Sequence, residues 1–377
     1  MIKVERAYKM ENRAVNFLRG VPADESLKEI QPLIAEGYKN AINKYGTDVL
    51  QYGHFGGFKP LREILGKFHD VDSERIIAGN GGLEVISLFF KSLPANSTII
   101  VEKATYDRVL LDAFHYGYKT MGVEMTPHGV NLNDLERLLK TCPVILFYGI
   151  PFHQNPTGIT YTQENCKAVE EICRRYNVIC AWDVCYQQLR YDGNTNTPID
   201  VSDSDSVLFS SFTKTISPGT KCGYMVLPEK MVGKVTNVIA NTRINPNLPT
   251  QAFIADFIES GKYDEFLTFL QGLYRPRMDA LNTAMNEYFP ETDSVRITGG
   301  FFALIHLHEI TGKKEELFIE SVKAAGVNIN SAQAAFATNI LAKNLGKGLF
   351  VRLTFPALEP EQIRRGVATL KEMMLDV

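Results

Sequence analysis

Several features that would settle a protein's class early are missing from this 377-residue sequence. There is no basic excess: 40 Lys and Arg stand against 43 Asp and Glu, a formal net charge of -3. Neither a nucleic-acid footprint nor a polybasic membrane-binding run is therefore expected. No apolar run approaches the ~18 residues that a membrane span requires. The start of the chain is studded with Lys3, Glu5, Arg6, Lys9, Glu11 and Arg13, which leaves no apolar core for a secretion signal. The six cysteines form no CxxC pair and no Cys/His cluster with zinc spacing, so no metal centre is expected. They read as free thiols, small apolar fillers in a reducing cytoplasm. A cytoplasmic location is thus expected by default. Internal repeats and low-complexity segments are also missing.

What remains is 45% hydrophobic, ample for one large domain or two smaller ones. From about residue 76 strands and helices alternate. Ile76 to Ala78 reads as a strand, turning through Gly79-Asn80-Gly81-Gly82 into a helix from Leu83 to Leu93. Ser97 to Val101, Lys119 to Met125, Pro143 to Tyr148, Val178 to Trp182 and Val207 to Phe209 read as further strands with helices between them. Asn133 and Glu136 form a capping box for one helix, and Thr162 caps another. Continuous apolar runs suit strands buried on both faces, so the fold class is α/β, a mostly parallel sheet with helices on both faces. A long helical stretch follows, Ala252 to Phe289, in which Gly261 and Pro276 are expected to break or bend the helix. Val295 to Leu307 then reads as two short strands around Gly299-Gly300. With the helix Lys314 to Ala325, the strand Leu349 to Phe355 and the helix Glu361 to Leu375, it makes a smaller α+β unit. The boundary falls near residue 280.

The chemistry centres on Ser206 to Tyr224, SVLFSSFTKTISPGTKCGY. A buried strand ends in the hydroxyls Ser210, Ser211 and Thr213 and then a lysine, Lys214. Desolvation there lowers an amine's pKa, and a neutral amine attacks aldehydes; a surface lysine at a strand corner is the alternative. Ligands of open α/β sheets bind at the carboxyl ends of the strands, and other notable residues fall there. Gly81, Gly82 and Leu83 open a helix whose amides make either an anion site or a plain turn. They lack the spaced third glycine of a dinucleotide fingerprint, which disfavours a nicotinamide dehydrogenase. Tyr106 begins the next helix, as a partner for a planar ligand or as a packed ring. Asn155-Pro156-Thr157-Gly158 follows the next strand and has turn composition. Asp183 ends the strand after that, with Tyr186 three residues on. A buried carboxylate there needs a partner; a surface-loop aspartate does not. An amine, a carboxylate, an asparagine, two tyrosines and an anion cradle together meet the needs of pyridoxal phosphate.

These motifs resemble the class I/II aminotransferases of the fold-type I pyridoxal-phosphate enzymes. The branch is the one with aminoadipate-type aminotransferases and the aminotransferase-like domains of MocR regulators. The resemblance runs from about Asn16 to Met374. It rests on Leu50 to Gly53 with Pro60-Leu61-Arg62-Glu63, Asn155 to Gly158, Asp183-x-x-Tyr186, Ser211-x-x-Lys214, Pro218-Gly219 with Gly223-Tyr224, and Phe350 to Phe355, in that order. It implies a transaminase moving an amino group from an amino acid to a 2-oxo acid by ping-pong transfer. Lys214 would carry the cofactor as a Schiff base and move the proton. Asp183 would face the pyridine nitrogen, and Asn155 and Tyr186 the phenolate oxygen, with Tyr106 stacked on the ring. Ser211, Lys221 and the amides of Gly81 to Leu83 would hold the phosphate. Arg352, with Asn155, would take the substrate carboxylate.

The resemblance further implies a homodimer with shared sites, Tyr52 reaching the neighbour's phosphate. Residues 46–279 would form the large cofactor-binding domain, and residues 1–45 with 280–377 the small one. Arg19 and Arg243 lie in segments that border the pocket in relatives, where either could receive an acidic side chain. Where Lys221 stands the family usually has arginine, and Gly82-Leu83 replaces a hydroxyl or amide in the phosphate cup. Val184-Cys185-Tyr186 is also less polar than the usual tripeptide. A lyase, a decarboxylase or a cyclising enzyme on the same fold is the alternative reaction. A regulator is not expected, because the residues before Tyr52 lack a basic helix-turn-helix pattern.

Overall fold

The computed structural model describes residues 14–291, 294–337 and 348–375. Thirteen strands are named in chain order. They are β1 (Val15–Asn16), β2 (Ile76–Gly79), β3 (Thr98–Glu102), β4 (Lys119–Val123), β5 (Met125–Thr126), β6 (Gly129–Val130), β7 (Leu146–Gly149), β8 (Ile179–Asp183), β9 (Val207–Ser211), β10 (Gly223–Val226), β11 (Phe302–Leu307), β12 (Val327–Asn328) and β13 (Leu349–Thr354). Seven of them form one sheet in the order β2-β10-β9-β8-β7-β3-β4. All run parallel except β10, which is antiparallel to both its neighbours. The apolar runs explain this sheet: every residue of β2, β7 and β10 is buried, as strands covered on both faces require. Among the described residues no helix is long and apolar enough to cross a membrane.

The order brings chemistry to one edge. β2, β3, β7, β8 and β9 all end there, and the reversed β10 begins there. Gly223 is registered against both Gly79 and Ser211, and Asp183 pairs with Phe209. A second group of elements overhangs this edge. β11 pairs antiparallel with β13, and β1 pairs parallel with β12. The last helix, Pro360–Leu375, packs along the helix Lys262–Tyr288. Arg277, buried in the latter, is bonded to Glu25 and Glu359, each at 2.9 Å, and so ties the first and last helices together.

Three local expectations are corrected. The helix Leu132–Thr141 is capped by Asn131, whose side chain accepts from the Asp134 amide at 3.1 Å, not by Asn133. The long helical stretch breaks once, at Gly261 (φ 77), and then runs unbroken through Pro276. Pro276 is on the exposed side and its i−4 neighbour is Gly272, with open space around it, so water can take the carbonyl that the ring leaves unbonded. Among the described residues no strand forms over 294–298, just before Gly299-Gly300. The Ile297 amide goes to the Asn282 side chain at 2.9 Å, and the Thr298 carbonyl accepts from the Tyr191 amide at 2.9 Å. With those groups taken by side chain and loop, only β11 remains to form a ladder.

Candidate active site

The site starts at the tip of β9. Ser211 ends the strand, and the chain turns immediately, closed by the Ile216 amide bonding to the Phe212 carbonyl at 2.8 Å. Lys214 stands in this turn. Its Nζ donates to the Gly20 carbonyl at 3.3 Å and lies 5.7 Å from the centre of the Phe301 ring. Burial pushes the amine below the ordinary lysine range, and the positive charges of Arg352 and Lys221 add to that. One strand over, Asp183 ends β8 and is buried. Its Oδ2 accepts from the Tyr148 hydroxyl at 2.7 Å and its Oδ1 from the Cys185 amide at 3.1 Å. Burial raises its pKa while the Tyr148 bond opposes the rise. A carboxylate so held is partnered by donors and not by a cation, and can serve a cationic ring nitrogen.

Opposite β9, Gly81 (φ 117) opens the helix Gly82–Ser92 with no side-chain cap, which leaves first-turn amides for an anion. Gly223 makes this approach possible: a Cβ there would lie 2.5 Å from the Gly81 carbonyl carbon and 2.6 Å from the Gly82 nitrogen. The Ser211 hydroxyl is 2.9 Å from that of Thr213. Lys221 sits on the exposed rim in the left-handed backbone region, φ 49. From the overhanging elements comes Arg352 of β13. Its Nη1 donates to Asn155 Oδ1 at 3.1 Å and its Nη2 to the Leu18 carbonyl at 3.2 Å, and its guanidinium lies 4.8 Å from the Phe302 ring centre. Tyr186 is buried, edge-on to both Phe301 and Phe302. Tyr106 caps the helix Asp107–His115.

A single cleft is lined by Gly81, Gly82, Leu83, Tyr106, Asn155, Asp183, Tyr186, Ser211, Lys214, Lys221 and Arg352. Arg19 lines it too. Arg243 does not. It pairs with Glu84 at 3.2 Å and donates to the carbonyls of Phe55 and Ala78, each at 2.6 Å, so it is spent within its own subunit. Tyr52 also stands outside the cleft, 77% exposed. Sequence reasoning missed Tyr148 as the donor to Asp183 and Thr213 as a lining hydroxyl. A hydroxyl two residues after Ser211 was the signal for Thr213; the sequence offers none for Tyr148, whose partner Asp183 lies on another strand.

The donor set fits pyridoxal phosphate: a desolvated amine, a hydrogen-bonded carboxylate, amide and phenol groups, and an anion cradle, all on one cleft. Residues 14–370 match the family described as aminotransferase class I and II. The chain is 27% identical over 375 residues to aromatic-amino-acid aminotransferase 1 of Thermococcus litoralis, a match covering 95% of this chain and 87% of that one. It is 23% identical over 364 residues to the 2-aminoadipate transaminase of Thermus thermophilus, covering 94% and 89%. The crystal structure of a multiple substrate aminotransferase from Thermococcus profundus superposes with a TM-score of 0.86 at 25% identity, over 99% of this chain and 96% of that one. The chain therefore belongs to the class I and II aminotransferases, pyridoxal-phosphate-dependent transaminases of fold type I.

Proposed function

We propose that Lys214 is the residue that binds pyridoxal phosphate, and that the site moves an amino group from an amino acid to a 2-oxo acid in two half-reactions. The observation that carries this reading is the meeting of a half-buried, desolvated amine, Lys214, and a buried, hydrogen-bonded carboxylate, Asp183, in one cleft. When bound, the cofactor supplies an electron sink for the bond broken at the substrate α-carbon. Desolvation lowers the Lys214 amine's pKa and so favours its neutral form, and a neutral amine can attack an aldehyde and take and return the α-proton. Asp183 would hold the ring nitrogen in its protonated form. Asn155 Oδ1 accepts from Arg352 Nη1, which leaves its Nδ2 as the group that would donate, with the Tyr186 hydroxyl, to the phenolate oxygen. Tyr106, on the cleft wall, would stack on the ring. The amides of Gly81, Gly82 and Leu83, with Ser211, Thr213 and Lys221, hold the phosphate. Arg352 clamps the substrate carboxylate. Arg19 is the candidate for an acidic substrate side chain, a role closed to Arg243.

Residues 46–279 make the large domain of this reading, and residues 1–45 with 280–377 the small one; residues 1–13, 292–293, 338–347 and 376–377 lie outside the described residues. The active unit is a homodimer, with Tyr52 serving the neighbour's phosphate. The test is reduction of the purified holoenzyme with borohydride, followed by peptide mapping. The adduct is expected on Lys214, and unreduced enzyme is expected to form 2-oxo acid from an amino donor. An adduct on a different lysine would overturn the assignment, and release of carbon dioxide, or of a thiol and ammonia with no amino group passed to a 2-oxo acid acceptor, would overturn the reaction.

A further inference from the structure

Beneath the cleft, and absent from its lining, lies a second carboxylate. Glu102 ends β3 and is fully buried. Its Oε1 accepts from the Ile150 amide at 2.9 Å and the Tyr161 hydroxyl at 2.6 Å. Its Oε2 accepts from the Thr105 hydroxyl at 2.8 Å and the Gln154 side-chain amide at 2.7 Å. Among the described residues no cation pairs with it; its partners are these four donors. Burial pushes Glu102 up to about 7, while Tyr161, Gln154, Ile150 and Thr105 oppose the rise. A buried carboxylate without a cation costs stability that an apolar side chain of the same volume would not. Its use lies in what the four bonds join.

Thr105 immediately precedes Tyr106, and Gln154 immediately precedes Asn155. Gln154 is itself fixed: its Oε1 accepts from the Thr157 amide at 2.8 Å, and its Nε2 also donates to the Ala104 carbonyl at 2.7 Å. Ile150, which lines the cleft, is held by the other oxygen. One side chain thus fastens the wall that carries Tyr106 to the wall that carries Asn155. We propose that Glu102 is a positioning residue for transamination: its carboxylate sets the spacing of Tyr106 and Asn155, and with it the seat of the ring that both touch. The inference rests on the functional reading above.

Glu102→Gln tests it. The Ile150 amide is an obligatory donor, so the new carbonyl oxygen belongs on its side. The new NH2 then faces Thr105, whose hydroxyl can turn and accept, and Gln154, which keeps Ala104. The fold survives, but the arms that lead to Tyr106 and Asn155 slacken. The readouts are the visible circular dichroism of the bound cofactor, kcat and KM measured separately, and Tm. The variant is expected to keep its cofactor content and its Tm within a few degrees, lose about half of the visible dichroism, and lose about tenfold in kcat at nearly constant KM, as for a small misplacement of reacting groups. Unchanged dichroism and kcat would overturn the proposal. So would activity lost only in step with cofactor content and Tm, which marks a purely structural role. Should Glu102→Gln fail to fold, Thr105→Val cuts the Tyr106 arm alone in a near-isosteric change, and the same readouts apply. A wild-type protein without a visible cofactor band would instead sink the functional reading on which the proposal rests.

Discussion

At the scale of single residues, charges in the cleft divide by how they are held. Asp183 is buried and takes two donors, so its geometry survives removal of its charge. Asp183→Asn should fold and still hold the cofactor, but an amide cannot keep the ring nitrogen protonated. Turnover is expected to fall by at least about a hundredfold, the scale seen when one preorganised electrostatic group is lost. Steady-state rates on the purified variant check this, and a near-normal kcat would remove Asp183 from the mechanism. Lys221 is held differently, on an exposed rim with its backbone left-handed. In the proposed reading it is the cation for the phosphate, a load that the amides of Gly81 to Leu83 and the Ser211 hydroxyl would share. Lys221→Arg keeps the charge and adds a planar fork, and should tighten pyridoxal phosphate severalfold, about fivefold. Lys221→Ala should weaken binding by more than that. Titration of the three apoproteins decides it, and equal affinity for wild type and Lys221→Ala would place the phosphate's counter-charge elsewhere.

At the scale of elements, β10 matters most. It is the one strand of the large sheet that runs against its neighbours, and it puts Gly223 against the Gly81–Gly82 peptide. Gly223→Ala brings a methyl within 2.5 Å of backbone that has no rotamer to change. Either β10 shifts between β2 and β9, or the helix opening moves away from the phosphate. Overpacking of this kind costs about 1–3 kcal/mol, and cofactor affinity is expected to fall at least tenfold with it. Denaturant unfolding and cofactor titration measure the two effects, and an unchanged affinity would mean that the peptide does not face the phosphate. The strand–helix alternation was legible because apolar runs mark strands buried on both faces, and the cap at Thr162 was legible from its side chain, which accepts from Asn165 at 3.2 Å. The antiparallel sense of β10 was not, since run composition carries no direction. Nor were the two-residue strands β1 and β12, whose pairing is set by tertiary contact. Most residues that line the cleft could be singled out because they follow the carboxyl ends of strands. Tyr148 could not, because its hydroxyl matters only once β7 lies beside β8. Glu102 was hidden for the same reason: its four donors come from Thr105, Ile150, Gln154 and Tyr161, segments that only the fold brings together.

At the scale of the whole molecule, one subunit leaves a surface that a monomer does not explain. Leu50 and Tyr52 are 64% and 77% exposed, and Ile244, near them through the Gly53 amide bond to Asn245 at 3.2 Å, is 62% exposed. Leu83, on the cleft, is 39% exposed. Apolar side chains grouped beside an active site fit burial against a second copy better than lasting contact with water. If Tyr52 then serves the neighbour's phosphate, each site needs two chains, and a mixing experiment can read this directly. Lys214→Ala abolishes chemistry in its own cleft but offers an intact Tyr52. Tyr52→Ala keeps Lys214 but offers its neighbour no phenol, and at low cofactor concentration should be weakly active. When the two variants are unfolded together and refolded, half of the dimers are mixed, and each mixed dimer has one complete site and one doubly defective site. Activity is expected to rise to about a quarter of wild type, as two-fold symmetric exchange requires. If every site is built from a single chain, mixing restores nothing above the sum of the parents, whether or not the chain dimerises.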